Sequence, residues 1–162
     1  MAMLDISATV TGQDTPARII APVTRAMTDF RQVWEAFRPR LHEIAIEQFG
    51  TEGARGGERW APLSPAYAAR KARTHPGRTI LVRKGNLAES LISQSAPGAI
   101  WRASADTLVW GTEDRTAAYH QYGTSRMPRR QVITLTQADV AGLSRLATEA
   151  VMDIARKAGA TA

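Results

Sequence analysis

Polar and apolar residues alternate from Leu4 to Val10, with Leu4, Ile6, Ala8 and Val10 on one side. A period of two with β-branched residues predicts a short strand. Thr11-Gly12-Gln13-Asp14 then reads as a turn. Thr15-Pro16 has the make-up of a helix start, but Pro22 follows soon after and leaves residues 15–21 open between helix and loop. From Val23 the period changes. Val23, Met27, Phe30, Val33, Trp34, Phe37, Leu41, Ile44 and Phe49 recur at spacings of three and four, the signature of an amphipathic helix. Pro39 disfavours helical geometry at residue 38, so the pattern predicts one helix to about Phe37 and another from about Pro39 to Phe49. Gly50, Gly53, Gly56 and Gly57 end the run in a flexible loop.

Ser64-Pro65 pairs a capping residue with a first-turn proline and predicts a short helix through about Ala72. Thr74 to Arg78 is a turn, and Ile80-Leu81-Val82 is a brief apolar run. Asn86 is placed to cap a helix through Leu91, with Leu87 and Leu91 facing inward. Residues 100–103 and 107–111 flank Ser104-Ala105-Asp106 as a hairpin, which brings Trp101 near Trp110. Ala117 to His120 follow a polar turn, and Tyr122-Gly123-Thr124 is another turn. Gln131 to Leu135 alternates as a last strand. Thr136 caps a final helix with Asp139 in its first turn. Val140, Leu143, Ala147, Ala150, Val151 and Ile154 form the apolar stripe of that helix, and Arg156 and Lys157 suit its C-terminal dipole. The element order predicts an α+β fold. Its small, mainly antiparallel sheet is packed by long N-terminal helices and a C-terminal helix, with extended loops, as a single domain over residues 1–162.

Composition narrows the function classes. The chain has 44% apolar residues and no cysteine, which excludes disulfides and thiolate metal sites. No stretch approaches the roughly 18 apolar residues of a membrane span, and residues 1–10 lack a signal-peptide pattern. A soluble intracellular protein without a membrane partner is expected. The net charge of +6 is concentrated. Residues 60–88 hold Arg70, Lys71, Arg73, Arg78, Arg83 and Lys84 and no acid, leaving the rest balanced at 15 basic and 15 acidic residues. Such a segment is a solvated loop, a contact for DNA phosphate, or a contact for an acidic protein neighbour. Arg73, Arg78, Arg83 and Lys84 are the candidates to face DNA.

Catalytic chemistry is hard to assemble. His42, His75 and His120 have no partner at metal-ligand spacing, and Ile46 stands where a zinc-protease helix needs its second histidine. His120 as a general base has only Ser125 and Asp114 near it in sequence, which makes a particle-borne hydrolase a weak reading. The glycines before Trp60 are followed by Glu58-Arg59 rather than the Lys-Ser/Thr of a phosphate loop. The expectation is no catalytic, metal or cofactor site. Trp60, Trp101 and Trp110 suit core or interface anchoring; stacking on bases is the alternative, within a basic nucleic-acid-binding module.

Three ordered blocks carry a family resemblance. The first is Gly57, Trp60, Pro62, Leu63, Ser64, Pro65, Tyr67, Arg70 and Lys71; the second is Ile80, Leu81, Gly85, Leu87, Ser90 and Leu91. The third is Gly111, Thr112, Ala118, Tyr119, His120, Gln121, Gly123 and Thr124, followed by Pro128, Arg129 and Arg130. The chain resembles the phage virion morphogenesis family, the Mu-like group of tail completion or neck proteins, over about residues 23–158. It departs from the usual P-A-R-P element at Met127-Pro128-Arg129-Arg130, which lacks the second proline. The resemblance implies an α+β structural protein of the head-to-tail junction, in a ring that is commonly six-fold. Its partners would be the connector or stopper and the tail tube, with genomic DNA passing through the opening. A ring needs two different patches that meet on successive copies. Trp60, Leu63, Tyr67, Arg70 and Lys71 are expected to form one patch. His120, Gln121, Tyr122, Arg126 and Arg129 are expected to form the second, facing a subunit or the tail tube.

Overall fold

The computed structural model describes residues 16–157. The alternating segment at 4–10 and its turn lie outside the described residues. The described elements are α1 (Pro16–Thr28), α2 (Arg31–Gly50), a 3-10 turn (Ala54–Gly56), α3 (Pro65–Thr74), α4 (Asn86–Ile92), β1 (Ala99–Ala103), β2 (Leu108–Thr112), α5 (Arg115–Tyr122) and α6 (Gln137–Lys157). The fold class is α+β, with one two-stranded antiparallel sheet among the described residues. The chain divides into two compact units: residues 16–37, 103–107 and 141–157, and residues 38–102 and 108–140.

In the first unit, α1 runs through Pro22, so that proline does not break the helix. The break expected at Pro39 falls instead at Asp29-Phe30, and α2 is continuous through Pro39. Local chemistry explains the shift. The Asp29 carboxylate accepts from Arg31 N at 3.1 Å, as a capping residue does, and Phe30 N donates to Ala105 O at 2.7 Å. The Phe30 and Arg31 N–H groups freed at the break therefore have partners. Pro39 removes one helical bond, and the helix is held on both sides of it by buried Val33, Phe37, Leu41 and Ile44. Phe30 stacks on Trp34 with centroids 5.5 Å apart, Trp34 meets Phe37 edge-on at 5.4 Å, and Trp34 Nε1 donates to Ser104 O at 3.0 Å. On α6, Val151 and Ala155 are buried, and Val23 packs against Ala155.

The second unit is built around Ala45, Phe49, Trp60, Leu87, Leu91 and Val132. The glycine-rich stretch is a hydrogen-bonded turn rather than a loose loop: Gly53 N donates to Gln48 O at 2.9 Å and Trp60 N to Glu52 O at 2.7 Å. Gly53 has φ 89°, and a Cβ there would meet Trp60 Cδ1 at 2.4 Å. Glycine serves two needs here, the left-handed backbone and the close approach of the indole. Gly85, at φ 103°, takes the cap position expected of Asn86, which becomes the first residue of α4. The hairpin forms as expected. Bonds from Ser104 N to Thr107 O and from Glu113 N to Gly98 O set a register that places Trp101 opposite Trp110. Trp110 Nε1 donates to Leu91 O at 3.2 Å, Ser90 Oγ to Thr112 Oγ1 at 2.7 Å, and α4 packs on β2. Trp101 lies under the Arg38 guanidinium, 4.6 Å from its ring centroid.

Residues 131–135 are not the expected strand; they join no sheet, and the chain bends at Val132-Ile133. Side chains take the place of a neighbouring strand. Gln48 Nε2 and Trp60 Nε1 both donate to Gln131 O, at 2.7 and 2.8 Å. Gln121 Oε1 accepts from Val132 N at 2.8 Å and Ile133 N at 3.0 Å, while Gln121 Nε2 donates to Ile133 O at 2.9 Å. The alternation therefore predicted neither the ladder nor the burial pattern: Val132 is buried, while Leu135 is 45% exposed. Gln121→Ala should cost roughly 2–4 kcal/mol, since three backbone groups lose partners in a partly buried place. At this size that is a fall of about 10 °C in the melting midpoint. Tyr119→Ala, on the exposed side of the same helix, is the control. Equal midpoints for the two variants would show that the brace adds nothing.

The last helix starts as its sequence suggests. Thr136 Oγ1 accepts from Asp139 N at 3.2 Å, and Asp139 Oδ2 accepts from Thr136 N at 2.8 Å, a reciprocal capping arrangement. Val140, assigned to the apolar stripe, is instead 53% exposed.

Candidate functional site

The second unit holds a groove of about 860 Å³, at the upper end of the ~300–1,000 Å³ of small-ligand sites. Its walls come from the same ordered blocks that carry the family resemblance. Pro62, Leu63, Ser64, Tyr67 and Lys71 form one wall, from the approach to α3 and the helix itself. Leu81 and residues 83–87 form the next, at the start of α4. Asp114, Thr116 and His120 of α5 and its cap, with residues 126–128 and Arg130, complete it. Leu81 has φ 61°, a left-handed conformation uncommon for a branched side chain, and residues held in such conformations cluster at binding sites.

Buried cations hold the groove together. Arg130 is 6% exposed; its Nε donates to Ala61 O at 2.7 Å and its Nη2 to Pro62 O at 2.9 Å. Arg130 N also donates to His120 O at 2.8 Å. Arg130 thus ties the Trp60–Pro65 stretch to α5 through its guanidinium on one side and its backbone N–H on the other, and burial lowers the pKa of the guanidinium. Lys71 is likewise buried, with Nζ donating to Thr79 O; burial lowers its pKa, and Glu52 opposes that shift. His120 is half-buried. Burial and the Arg130 charge lower its pKa, with Asp114 acting in the opposite sense, so the ring is held toward its neutral form. Among the described residues no hydrogen bond joins its ring to Asp114 or Ser125, and its buried Nδ1 has no partner. The Asp114 carboxylate caps α5, accepting from Thr116 N at 2.9 Å and Thr116 Oγ1 at 2.7 Å. That geometry orients a helix and a groove wall rather than a nucleophile and its base.

The structure brings together some of the residues singled out from sequence and separates others. Leu63, Tyr67, Lys71, Arg83, Lys84, His120 and Arg126 line the groove. Arg70 sits over the Tyr67 ring at 5.1 Å and is exposed, as are Arg73 and Arg78, all three outside the groove lining. Trp60 is 6% exposed and lies in the core of its own chain, where it packs edge-on against Phe49 at 5.4 Å. Gln121 is the internal brace described above. Tyr122 is 79% exposed, and Arg129, also exposed, donates through Nε to Gln121 O at 3.2 Å. Sequence reading did not single out Leu81, Asp114, Met127 and Arg130 as site residues. Arg130 stood in a quoted block, but its burial is a tertiary property that its charge hides.

The chain matches the phage virion morphogenesis family over residues 14–158 and belongs to that family. This makes it a phage morphogenesis protein with a structural, virion-associated role. No curated protein and no solved structure matches the chain. Among the described residues, no helix is long and apolar enough to cross a membrane.

Proposed function

We propose that the chain is a structural protein of the phage head–tail junction, a tail completion or tail terminator protein that joins the finished tail to the DNA-filled head. The observation that carries this reading is the groove. The ordered blocks of the family build an open, basic-rimmed surface, and the titratable groups within it brace the fold instead of converging on a reacting atom. On this reading the protein is not an enzyme. It works as a homo-oligomeric ring, six-fold by resemblance, between the connector or stopper and the tail tube, with the genome passing through its lumen. It is put together in the host bacterial cytoplasm and remains in the virion neck.

Electron microscopy of particles made without this gene tests the reading. DNA-filled heads separated from finished tails are the expected result. Tails of abnormal length would assign the terminator position, and normal infectious particles would overturn the junction role.

A second reading, nucleic-acid binding, is favoured by one observation: Arg73, Arg78, Arg83 and Lys84 are exposed, and among the described residues none of them has a carboxylate partner. It requires duplex or single-strand binding that weakens steeply with salt. A flat response at low salt removes it.

A further inference from the structure

We propose that the groove is the docking site for a short acidic segment of another particle protein, one that carries a large apolar side chain between its carboxylates. This rests on the structural role above and adds the chemistry of the partner. Leu63, Tyr67, Leu81 and Leu87 give the groove apolar lining, on the chain's own core. Five cations line it against a single carboxylate, Asp114, which is occupied in capping α5. Two of the five, Lys71 and Arg130, are buried and bonded to backbone carbonyls. Arg83, Lys84 and Arg126 are exposed and lack carboxylate partners among the described residues. They form a rim that offers three charges to an incoming chain.

Charge separates the candidate occupants. The chain carries a net charge of +6 and is balanced at 15 basic and 15 acidic residues outside 60–88, so a second copy has no overall negative charge to offer this rim. Nucleic acid brings the charge but has little use for an aliphatic lining, because its affinity comes mainly from phosphate neutralisation. An acidic peptide with an apolar anchor uses both parts: carboxylates fix its position at the rim, and the buried side chain supplies most of the affinity. The cations outside the lining, Arg70, Arg73 and Arg78, are not needed for this contact.

The test probes the full chain against an array of overlapping 15-residue peptides that covers every virion protein of the encoding phage. Captured peptides are then measured by fluorescence anisotropy at 0.15 M salt, with a 20-base-pair duplex as competitor. The expected set is net acidic with one or two large apolar residues. Reversing the rim with Arg83→Glu, Lys84→Glu and Arg126→Glu together should weaken binding roughly 10- to 100-fold, about 1 kcal/mol or less per exposed pair. Leu63→Ala should weaken it about tenfold through lost apolar contact, and Arg73→Glu should leave it unchanged. Matching melting curves show that the variants are folded. Capture of no peptide, capture indifferent to the rim, or duplex binding that depends on the rim without any peptide binding would each overturn the proposal. Acidic peptides drawn only from proteins far from the head–tail boundary would support the groove assignment while overturning the junction role. An empty array with separated heads and tails in the gene-deleted particle would do the reverse.

Discussion

Trp60→Ala is expected to lower stability by about 4–5 kcal/mol, a large part of the ~5–15 kcal/mol that holds a domain folded. The indole is 6% exposed, meets Phe49 edge-on at 5.4 Å and donates to Gln131 O at 2.8 Å. Removing it opens a cavity at the centre of the cluster and takes one donor from the segment that replaces a strand. Gly53→Ala should approach the same cost by the opposite route, because its Cβ would stand 2.4 Å from Trp60 Cδ1 on a backbone at φ 89°. The two changes share one volume and should not add. In the Trp60→Ala background the clash with the indole disappears, and Gly53→Ala should cost the ~1–2 kcal/mol of a left-handed alanine plus the smaller strain of a Cβ 3.0 Å from Glu58 O. Urea unfolding of the two single variants and the double variant measures this. Strict additivity would show that Gly53 and Trp60 are not packed as described. The same measurement guards the functional reading, since a Trp60→Ala chain that fails to build particles has failed as a fold before it can fail as an interface.

The most regular sequence signals were the most legible. The 3.6-residue stripe gave α2 and α6, Ser-Pro gave α3, and Ser104-Ala105-Asp106 gave the hairpin. Thr136 and Asp139 gave the start of the last helix. Pro39 misled, and tertiary packing is the reason. Helix breaking by Pro39 is a propensity worth roughly 3 kcal/mol, and burial along α2 outweighs it. The actual break at Asp29 depends on a bond to Ala105, far away in sequence. Residues 131–135 show a different limit. The alternation fits the burial of Val132 but not the exposure of Leu135, and whether the backbone pairs with a strand or with the amide of Gln121 depends on tertiary placement. At the site, the ordered blocks located the groove walls, while the division of labour among their cations stayed hidden. Lys71 and Arg83 look alike in sequence, yet one is buried against Thr79 O and the other stands at the rim. Neither charge nor spacing distinguishes a cation that braces a turn from one that awaits a partner.

The same distinction governs the acidic side of the chain and sets the largest pH effect expected of it. Asp139 is 1% exposed and pairs with Arg55, whose side chain is 9% exposed, and with Arg40 at 3.0 Å. Arg55 also reaches Glu47 at 2.7 Å and Thr134 O at 3.0 Å, so one guanidinium links α2, the glycine turn, the strand substitute and the start of α6. Burial alone would raise the Asp139 pKa. The Arg55 bond and the Thr136 hydroxyl and N–H outweigh burial and leave it at about 2, below its ordinary 3.8. A carboxylate depressed by folding stabilises the native state above the unfolded pKa, because between the two values the unfolded chain binds more protons. That contribution, about 2 kcal/mol, should be complete above roughly pH 5 and disappear as pH falls from 4 to 2. Asp139→Asn leaves Arg55 buried without its main counter-charge and should cost about 3–5 kcal/mol at neutral pH. Urea midpoints of the two proteins from pH 7 to pH 2 should therefore keep a constant gap down to about pH 5 and converge by about 2 kcal/mol below it. A gap that stays constant to pH 2 would mean that the ionised Asp139 contributes no stability. In that case the Arg55 bonds to Glu47 and Thr134 would be sufficient to hold the turn against α6.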